Sequence, residues 1–324
     1  MDPMIVVEEL IKAYPNGQRA VDAISFTVGS GEIFGFLGPN GAGKSTTVRI
    51  LTTLSLPSSG SVRVGGYDVV RQPAAIRRIA GVALQEGGVD PIMTTRELLL
   101  LQGRLFGLAA PQAQRRAAEL LQIVALEEVA NRPVSTYSGG MRRRLDLALA
   151  LVHQPTILFL DEPTTGLDPV SRRALWAEVI RLNREAGMTI FLATQYLEEA
   201  DALAHRIAII SRGQIVAEGQ PDTLKAALGS ESIALEFADV AGAERAALRL
   251  APFAQRLQRD NQTLRLYLPD TARAVSAVVG ALGEIGLTPE RLTLARPTLD
   301  DVFLQVTGQL LAAEQVPIER PASV

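Results

Sequence analysis

The sequence predicts an α/β chain followed by a smaller α+β domain, and three observations carry that prediction. Short β-branched runs, Ile33-Phe34-Gly35-Phe36-Leu37, Ile157-Leu158-Phe159-Leu160 and Thr189-Ile190-Phe191-Leu192-Ala193, alternate with longer segments of helical period. That is the pattern of a mostly parallel sheet covered by helices. From about Thr94 to Ala130 the strand signal disappears, and Leu98 to Phe106 and Ala113 to Leu126 both read as helices. A helical subdomain, at about residues 90–150, is therefore expected as an insertion between strands. Finally, Gly219-Gln220-Pro221 and Gly229-Ser230-Glu231 punctuate the chain, and the pattern changes after them.

Beyond that punctuation the sequence reads as a strand at Ile233 to Phe237, a helix at Gly242 to Leu250, two strands within Arg256 to Leu268, a helix at Ala272 to Gly283 and a strand near Leu292 to Ala295. This is β-α-β-β-α-β, the ferredoxin-like order. The expected division is residues 1–228, residues 229–309 and a frayed tail, 310–324, carrying Pro317 and Pro321.

Composition bounds the function. The 324 residues are 47% apolar, enough for two buried cores. With 32 basic and 35 acidic residues intermixed, the net charge is −3, and no global positive field draws in nucleic acid. There is no cysteine, which excludes disulfides, Cys-ligated zinc and thiol catalysis and fits a reducing compartment. Met1-Asp2-Pro3-Met4-Ile5-Val6-Val7-Glu8-Glu9 lacks the basic start and apolar run of a secretory signal, so a cytoplasmic location is expected. The longest uncharged stretch, Leu147 to Leu160, is broken by His153, Gln154 and Pro155 and falls short of the roughly 20 apolar residues of a spanning helix.

The chemistry begins at Gly38-Pro39-Asn40-Gly41-Ala42-Gly43-Lys44-Ser45, which follows the apolar run Ile33 to Leu37 and precedes the helix-like Thr46 to Leu54. This is the setting of a P-loop. Glycines let backbone N–H groups converge on phosphate oxygens, a helix N-terminus favours negative charge, Lys44 reaches the β/γ-phosphates and the Ser45 hydroxyl ligates Mg²⁺. Two acids close the strand Ile157 to Leu160. Beside a P-loop, Asp161 is expected to hold Mg²⁺ through water, and Glu162 to polarise the water that attacks the γ-phosphate.

P-loops occur in many families, and Ser138-Gly139-Gly140 before the helix-like Arg142 to Val152 discriminates among them. Alone, the triplet is equally a Ser N-cap with flexible glycines. In this company the chain resembles the ABC ATPases over about residues 4 to 228. The resemblance implies ATP and Mg²⁺ as cofactors, and a signature helix start that contacts the γ-phosphate held by a second copy, so that a complete site needs an ATP-sandwich homodimer. It further implies that Tyr14 stacks on adenine, that Thr46 joins the nucleotide contacts, that Gln85 of the Q-loop touches Mg²⁺ or its water and senses the membrane partner, and that Asp168, in the D-loop Gly166-Leu167-Asp168, lies at the dimer interface.

The chain departs from the family pattern at three positions. Tyr137 and Met141 flank the signature where the family usually has Leu and Gln, and the backbone contacts are expected to survive. Gln195 stands where the family has its switch His; its amide can hydrogen-bond a γ-phosphate but cannot become cationic or shuttle a proton. His153 and His205, the only histidines, are read as structural. Slow hydrolysis carried by Glu162 is the expectation, with an ATP-dependent clamp as the alternative.

Pro297-Thr298-Leu299-Asp300-Asp301-Val302-Phe303-Leu304 is similar to the segment that closes the ATP-binding subunits of daunorubicin/doxorubicin-resistance-type exporters, although a helix N-cap at Thr298 followed by acids explains it equally. The resemblance implies a motor on the cytoplasmic side of the cell membrane, docked on a separate transmembrane permease that exports a drug-like or lipophilic compound. The rival is a translation- or DNA-associated ABC switch. It would carry two cassettes or a long coiled coil, and Arg142-Arg143-Arg144 supplies no aromatic-interleaved nucleic-acid surface. The carboxy-terminal domain is read as a dimerisation or regulatory module.

Overall fold

Alternation within the apolar runs sets the architecture, because successive strand residues face opposite sides of a sheet. A computed structural model describes residues 3–84, 88–228, 231–268, 271–295 and 297–308. Its described residues form two compact units, divided between Pro221 and Asp222.

In the first unit, β1 (Pro3–Ala13), β2 (Arg19–Gly29), β4 (Ser59–Val64) and β5 (Tyr67–Asp68) form an antiparallel sheet of order β2-β1-β4-β5. The central sheet contains β3 (Ile33–Leu37), β6 (Ala80–Ala83), β7 (Ile157–Asp161), β8 (Thr189–Thr194), β9 (Arg206–Ser211) and β10 (Gln214–Gly219) in the order β10-β9-β3-β8-β7-β6. Every neighbour pair in it is parallel except β9 with β10. The sequence reading anticipated the parallel sheet but not the separate antiparallel one.

One face of the central sheet presents Phe34, Phe36, Phe159 and Phe191, which pack with Phe26 and the antiparallel sheet around α1 (Lys44–Leu51) and α2 (Pro73–Ile79). The other face presents Ile33, Leu158, Leu160, Ile190 and Leu192 to a second core. Helices α3 (Thr95–Leu105), α4 (Ala110–Ile123), α5 (Gly139–Ala150) and α6 (Pro169–Ala186) supply that core, while α7 (Leu197–Leu203) lies between β8 and β9. Burying each Phe or Leu contributes about 2 kcal/mol, so this two-sided burial accounts for the strands reading as continuous apolar runs. Among the described residues no strand occurs between β6 and β7, the interval expected to be helical.

The second unit begins with α8 (Pro221–Ala226), whose first residue closes the first unit. It continues through β11 (Glu231–Glu236), α9 (Val240–Leu250), β12 (Arg256–Asp260), β13 (Thr263–Leu268), α10 (Thr271–Glu284), β14 (Arg291–Ala295) and α11 (Leu299–Thr307). Its antiparallel sheet runs β12-β13-β11-β14, with the two later strands of the β-α-β-β-α-β order flanking the first. Thr298 caps α11, accepting from the Asp301 N–H while Asp301 reciprocates. Gly229, where the second domain was expected to begin, Ser230 and the tail 310–324 lie outside the described residues.

Candidate nucleotide site

The site collects at the carboxyl ends of the parallel strands, because the register aligns three of them. Leu37 of β3 pairs with Thr194 of β8, and Asp161 of β7 pairs with Ala193. The chain therefore leaves β3 into the P-loop, β7 into Glu162 and β8 into Gln195, side by side, where ligands bind in open α/β sheets.

Two glycines of the loop are dictated by close approach. A Cβ on Gly38 would stand 2.3 Å from the Ile210 carbonyl oxygen, and one on Gly43 would stand 2.5 Å from that of Ala20. Gly43 is also left-handed, φ 113°, at the N-cap of α1. The turn delivers Lys44 as the first helical residue, where unpaired N–H groups and the helix dipole attract an anion.

Lys44 is 4% exposed, and its Nζ donates to the Gly38 carbonyl at 2.8 Å and the Pro39 carbonyl at 3.2 Å. It also pairs with Glu162 Oε1 at 3.2 Å. Burial lowers the ammonium's pKa, against the opposing pull of the Glu162 and Asp161 charges. Ser45 Oγ donates to Asp161 Oδ1 at 3.2 Å; desolvation raises the Asp161 pKa, and the bond from Ser45 partly offsets it.

Glu162 is buried and left-handed, φ 49°, a conformation costing a non-glycine residue about 1–2 kcal/mol. Its N–H donates to the Ala193 carbonyl at 2.8 Å, which ties this backbone to β8. Thr165 Oγ1 donates to Glu162 Oε2 at 3.2 Å and Gln195 Nε2 to the same oxygen at 3.4 Å. The carboxylate is thus held by an ammonium, a hydroxyl and an amide.

A cavity of about 280 Å³ opens on this group, lined by Tyr14, Gln18, Ala20, Asn40, Gly41, Gly43, Lys44, Ser45, Thr46 and Glu162. Tyr14 is 36% exposed at its rim, its hydroxyl 3.4 Å from Thr46 Oγ1, with Lys12 Nζ 5.3 Å from the ring centroid. Ala42 is buried beneath the loop. Sequence reasoning overlooked Gln18, Ala20 and Thr165. Thr165 could have been found from its place three residues after Glu162 in the Pro163 turn. Gln85 lies outside the described residues.

The signature and D-loop line no part of this cavity. Ser138 is exposed and caps α5, accepting from the Met141 N–H at 3.3 Å. Gly139 borders a different cleft, with Arg142, Arg143, Thr165 and Gly166. Gly140 packs closely against Ser171: a Cβ there would meet Ser171 Oγ at 3.0 Å, a tight contact that the serine would have to yield to. Asp168 caps α6 from outside, accepting from the Val170 and Ser171 N–H groups at 3.0 Å, and bonds with the Ser171 hydroxyl lead the causes that lower its pKa. Tyr137 is buried where the family's leucine was expected. Its hydroxyl donates to the Val129 carbonyl at 2.8 Å and accepts from Thr95 Oγ1 at 2.8 Å, anchoring the signature to α3.

Comparison with known proteins identifies the family. A family model described as ABC transporter matches residues 21–165. The daunorubicin resistance ATP-binding protein DrrA3 of Streptomyces coeruleorubidus is 44% identical, covering 95% of this chain and 96% of its own. DrrA of Streptomyces peucetius is also 44% identical, covering 92% and 91%. The Nod factor export ATP-binding protein I of Burkholderia thailandensis is 43% identical, covering 93% and 96%. Among solved structures, a dimeric ATP-binding cassette in a post-hydrolysis state, bound to ADP and Pi, is 27% identical with a TM-score of 0.63, covering 67% of this chain and 98% of its own. No helix among the described residues is long and apolar enough to cross a membrane. The chain belongs to the ABC transporter family, as an ATP-binding, ATP-hydrolysing motor subunit of the daunorubicin/doxorubicin-resistance exporter type.

Proposed function

We propose that two copies of this chain close around two Mg·ATP, each P-loop facing the other copy's Ser138-Gly139-Gly140, and that the cycle drives export of a drug-like or lipophilic compound through a separate permease at the cytoplasmic face of the membrane. The carrying observation is the division just described: Lys44, Ser45 and Glu162 line one cavity, with Asp161 accepting from the Ser45 hydroxyl, whereas the signature lies outside it. In this reading Tyr14 stacks on adenine, the loop from Gly38 to Thr46 and Lys44 hold the phosphates, and Asp168 lies at the dimer contact.

Glu162 is the group that polarises the attacking water. The Lys44 ammonium now pairs with it; phosphate oxygens bound at the loop would compete for that ammonium, and releasing the pair would free the carboxylate for the water. Gln195 donates its amide to Glu162, and with ATP bound it would offer the γ-phosphate a hydrogen bond but no transferable proton. Ser45 and Asp161 provide two hard oxygen donors, which suits Mg²⁺, an ion that keeps several waters and uses substrate phosphates. Mg²⁺ would neutralise charge on the β- and γ-phosphates; Gln85 is its further contact by resemblance.

A groove of about 670 Å³ lies beside the helical insertion, lined by Leu54, Val82, Met93, Leu98, Leu101 and Phe106 among others. Leu54, Leu101 and Phe106 are exposed, and this apolar lip suits a segment of the permease. The carboxy-terminal unit is assigned a dimerisation or regulatory role.

The test is phosphate release under saturating Mg·ATP by the parent and Glu162→Gln, with size-exclusion chromatography of each in ATP. Release by the parent that is lost in Glu162→Gln, with ATP-dependent dimers in the variant, supports the motor. Dimers without release by either favour the clamp. Absence of both overturns the reading.

A further inference from the structure

Glu199 is a buried acid for which the chemistry above has no use. It lies on α7 with no exposed surface. Its Oε1 accepts the Trp176 Nε1–H of α6 at 3.1 Å. The hydroxyls of Thr194, the last residue of β8, and of Thr164 approach the same carboxyl. Neither Glu199 Oε2 nor Thr164 Oγ1 completes a hydrogen bond, although both are buried.

The neighbours of this carboxyl share a property. Thr164 is two residues beyond Glu162 in the turn whose next member, Thr165, bonds the Glu162 carboxylate. Thr194 immediately precedes Gln195, and its hydroxyl accepts from the Tyr196 N–H at 2.9 Å, which sets the chain direction through Gln195. Trp176 belongs to the helix that Asp168 caps. One side chain therefore meets the three segments that carry the general base, the γ-phosphate amide and the D-loop.

We infer that Glu199 is a positioning residue for ATP hydrolysis, a buried bracket that fixes the Glu162–Thr165 turn against the end of β8 and against α6. The inference rests on the ATPase reading above and adds a residue to it. A bare carboxylate is costly in this setting. Burial raises the Glu199 pKa, opposed by the nearby Thr194 hydroxyl, the Trp176 N–H, the Thr164 hydroxyl and the Arg172 charge. The neutral acid can donate from Oε2 to Thr164 Oγ1, satisfying both orphaned atoms. A glutamine at this position offers the same acceptor and donor without charge.

Trp176 is the only tryptophan in the chain, so its emission reports on the bracket directly. The experiment compares the full-length parent, Glu199→Ala, Glu199→Gln and Thr164→Val. Misplacing a catalytic group by about 1 Å costs on the order of 100-fold in rate, so Glu199→Ala is expected to lose at least roughly tenfold in kcat, with KM for ATP within about twofold of the parent. Glu199→Gln is expected to keep more than about half of kcat, and Mg·ATP is expected to change Trp176 emission in the parent but not in Glu199→Ala. A Glu199→Ala protein with parental kcat, with KM rising in step, or with an unaltered emission response overturns the inference, as does a Glu199→Gln protein as impaired as the alanine variant. If Glu199→Ala does not fold, Thr164→Val decides, since it removes one hydroxyl and leaves the acid. Turnover by the parent tests the ATPase reading separately; if that fails, the emission comparison alone decides.

Discussion

The P-loop half and the signature half of this chain are built in opposite ways. Lys44 and Glu162 are themselves buried and paired: the ammonium meets two carbonyls and a carboxylate, and the carboxylate meets a hydroxyl and an amide. Ser138, Gly139 and Asp168 are exposed, and the two side chains among them serve only to cap their own helices. On the proposed reading the difference assigns the chemistry to one half and, to the other, the presentation of a helix start to a second copy.

The largest effects should come from the buried half. Glu162→Gln should lower phosphate release by about 10²–10⁴-fold while ATP binding persists, and Lys44→Ala should weaken nucleotide binding as well; a filter-binding assay beside phosphate release separates the two. In the exposed half, Ser138→Arg should leave ATP binding by the isolated chain unchanged yet reduce release on the order of 100-fold. Mixing it with Lys44→Ala should restore part of the activity, because one mixed site keeps an intact P-loop and an intact signature. Failure of the mixture to recover would break the comparison.

Smaller effects sharpen it. Asp146, on the signature helix, is partly buried: desolvation pushes its pKa up to about 6 despite Arg143, whose guanidinium lies 3.8 Å away. The folded state then holds a proton that the unfolded state releases near pH 4. Stability should accordingly fall as pH rises from about 4 through about 6, by at most about 3 kcal/mol, and then level off. Denaturant unfolding of Asp146→Asn should lack that segment of the pH dependence. Tyr137→Phe should cost about 1–2 kcal/mol by removing the bonds to Val129 and Thr95, with a comparable change in release. Gln195→His should change the rate least at high pH and introduce a limb near pH 6–7 that the parent's profile lacks.

Legibility differed between the halves for physical reasons. The P-loop, the acids after β7 and the signature could be read because each is a contiguous motif whose spacing follows from backbone geometry. Helices α3 and α4 and the β-α-β-β-α-β order were equally readable, since periodicity is local. The antiparallel sheet of β1, β2, β4 and β5 was not, because its strands are paired through four register shifts between β1 and β2 alone, which no local pattern encodes. Tyr137 looked like a departure from a leucine, and its two hydrogen bonds depend on residues of other segments.

The sequence by itself determined the strand, glycine turn and helix start of the proposed phosphate site, and close backbone approach at Gly38 and Gly43 admits no side chain. It determined the acids and the amide available to the reaction, because identity alone decides which groups can carry or withhold a proton. Only the tertiary structure decided that Glu162 is clasped by Lys44, Thr165 and Gln195, that Glu199 stands behind them, and that the signature lies elsewhere. Those facts depend on which strands pair and in which register, and pairing between distant segments is selected by burying both faces of one sheet at once.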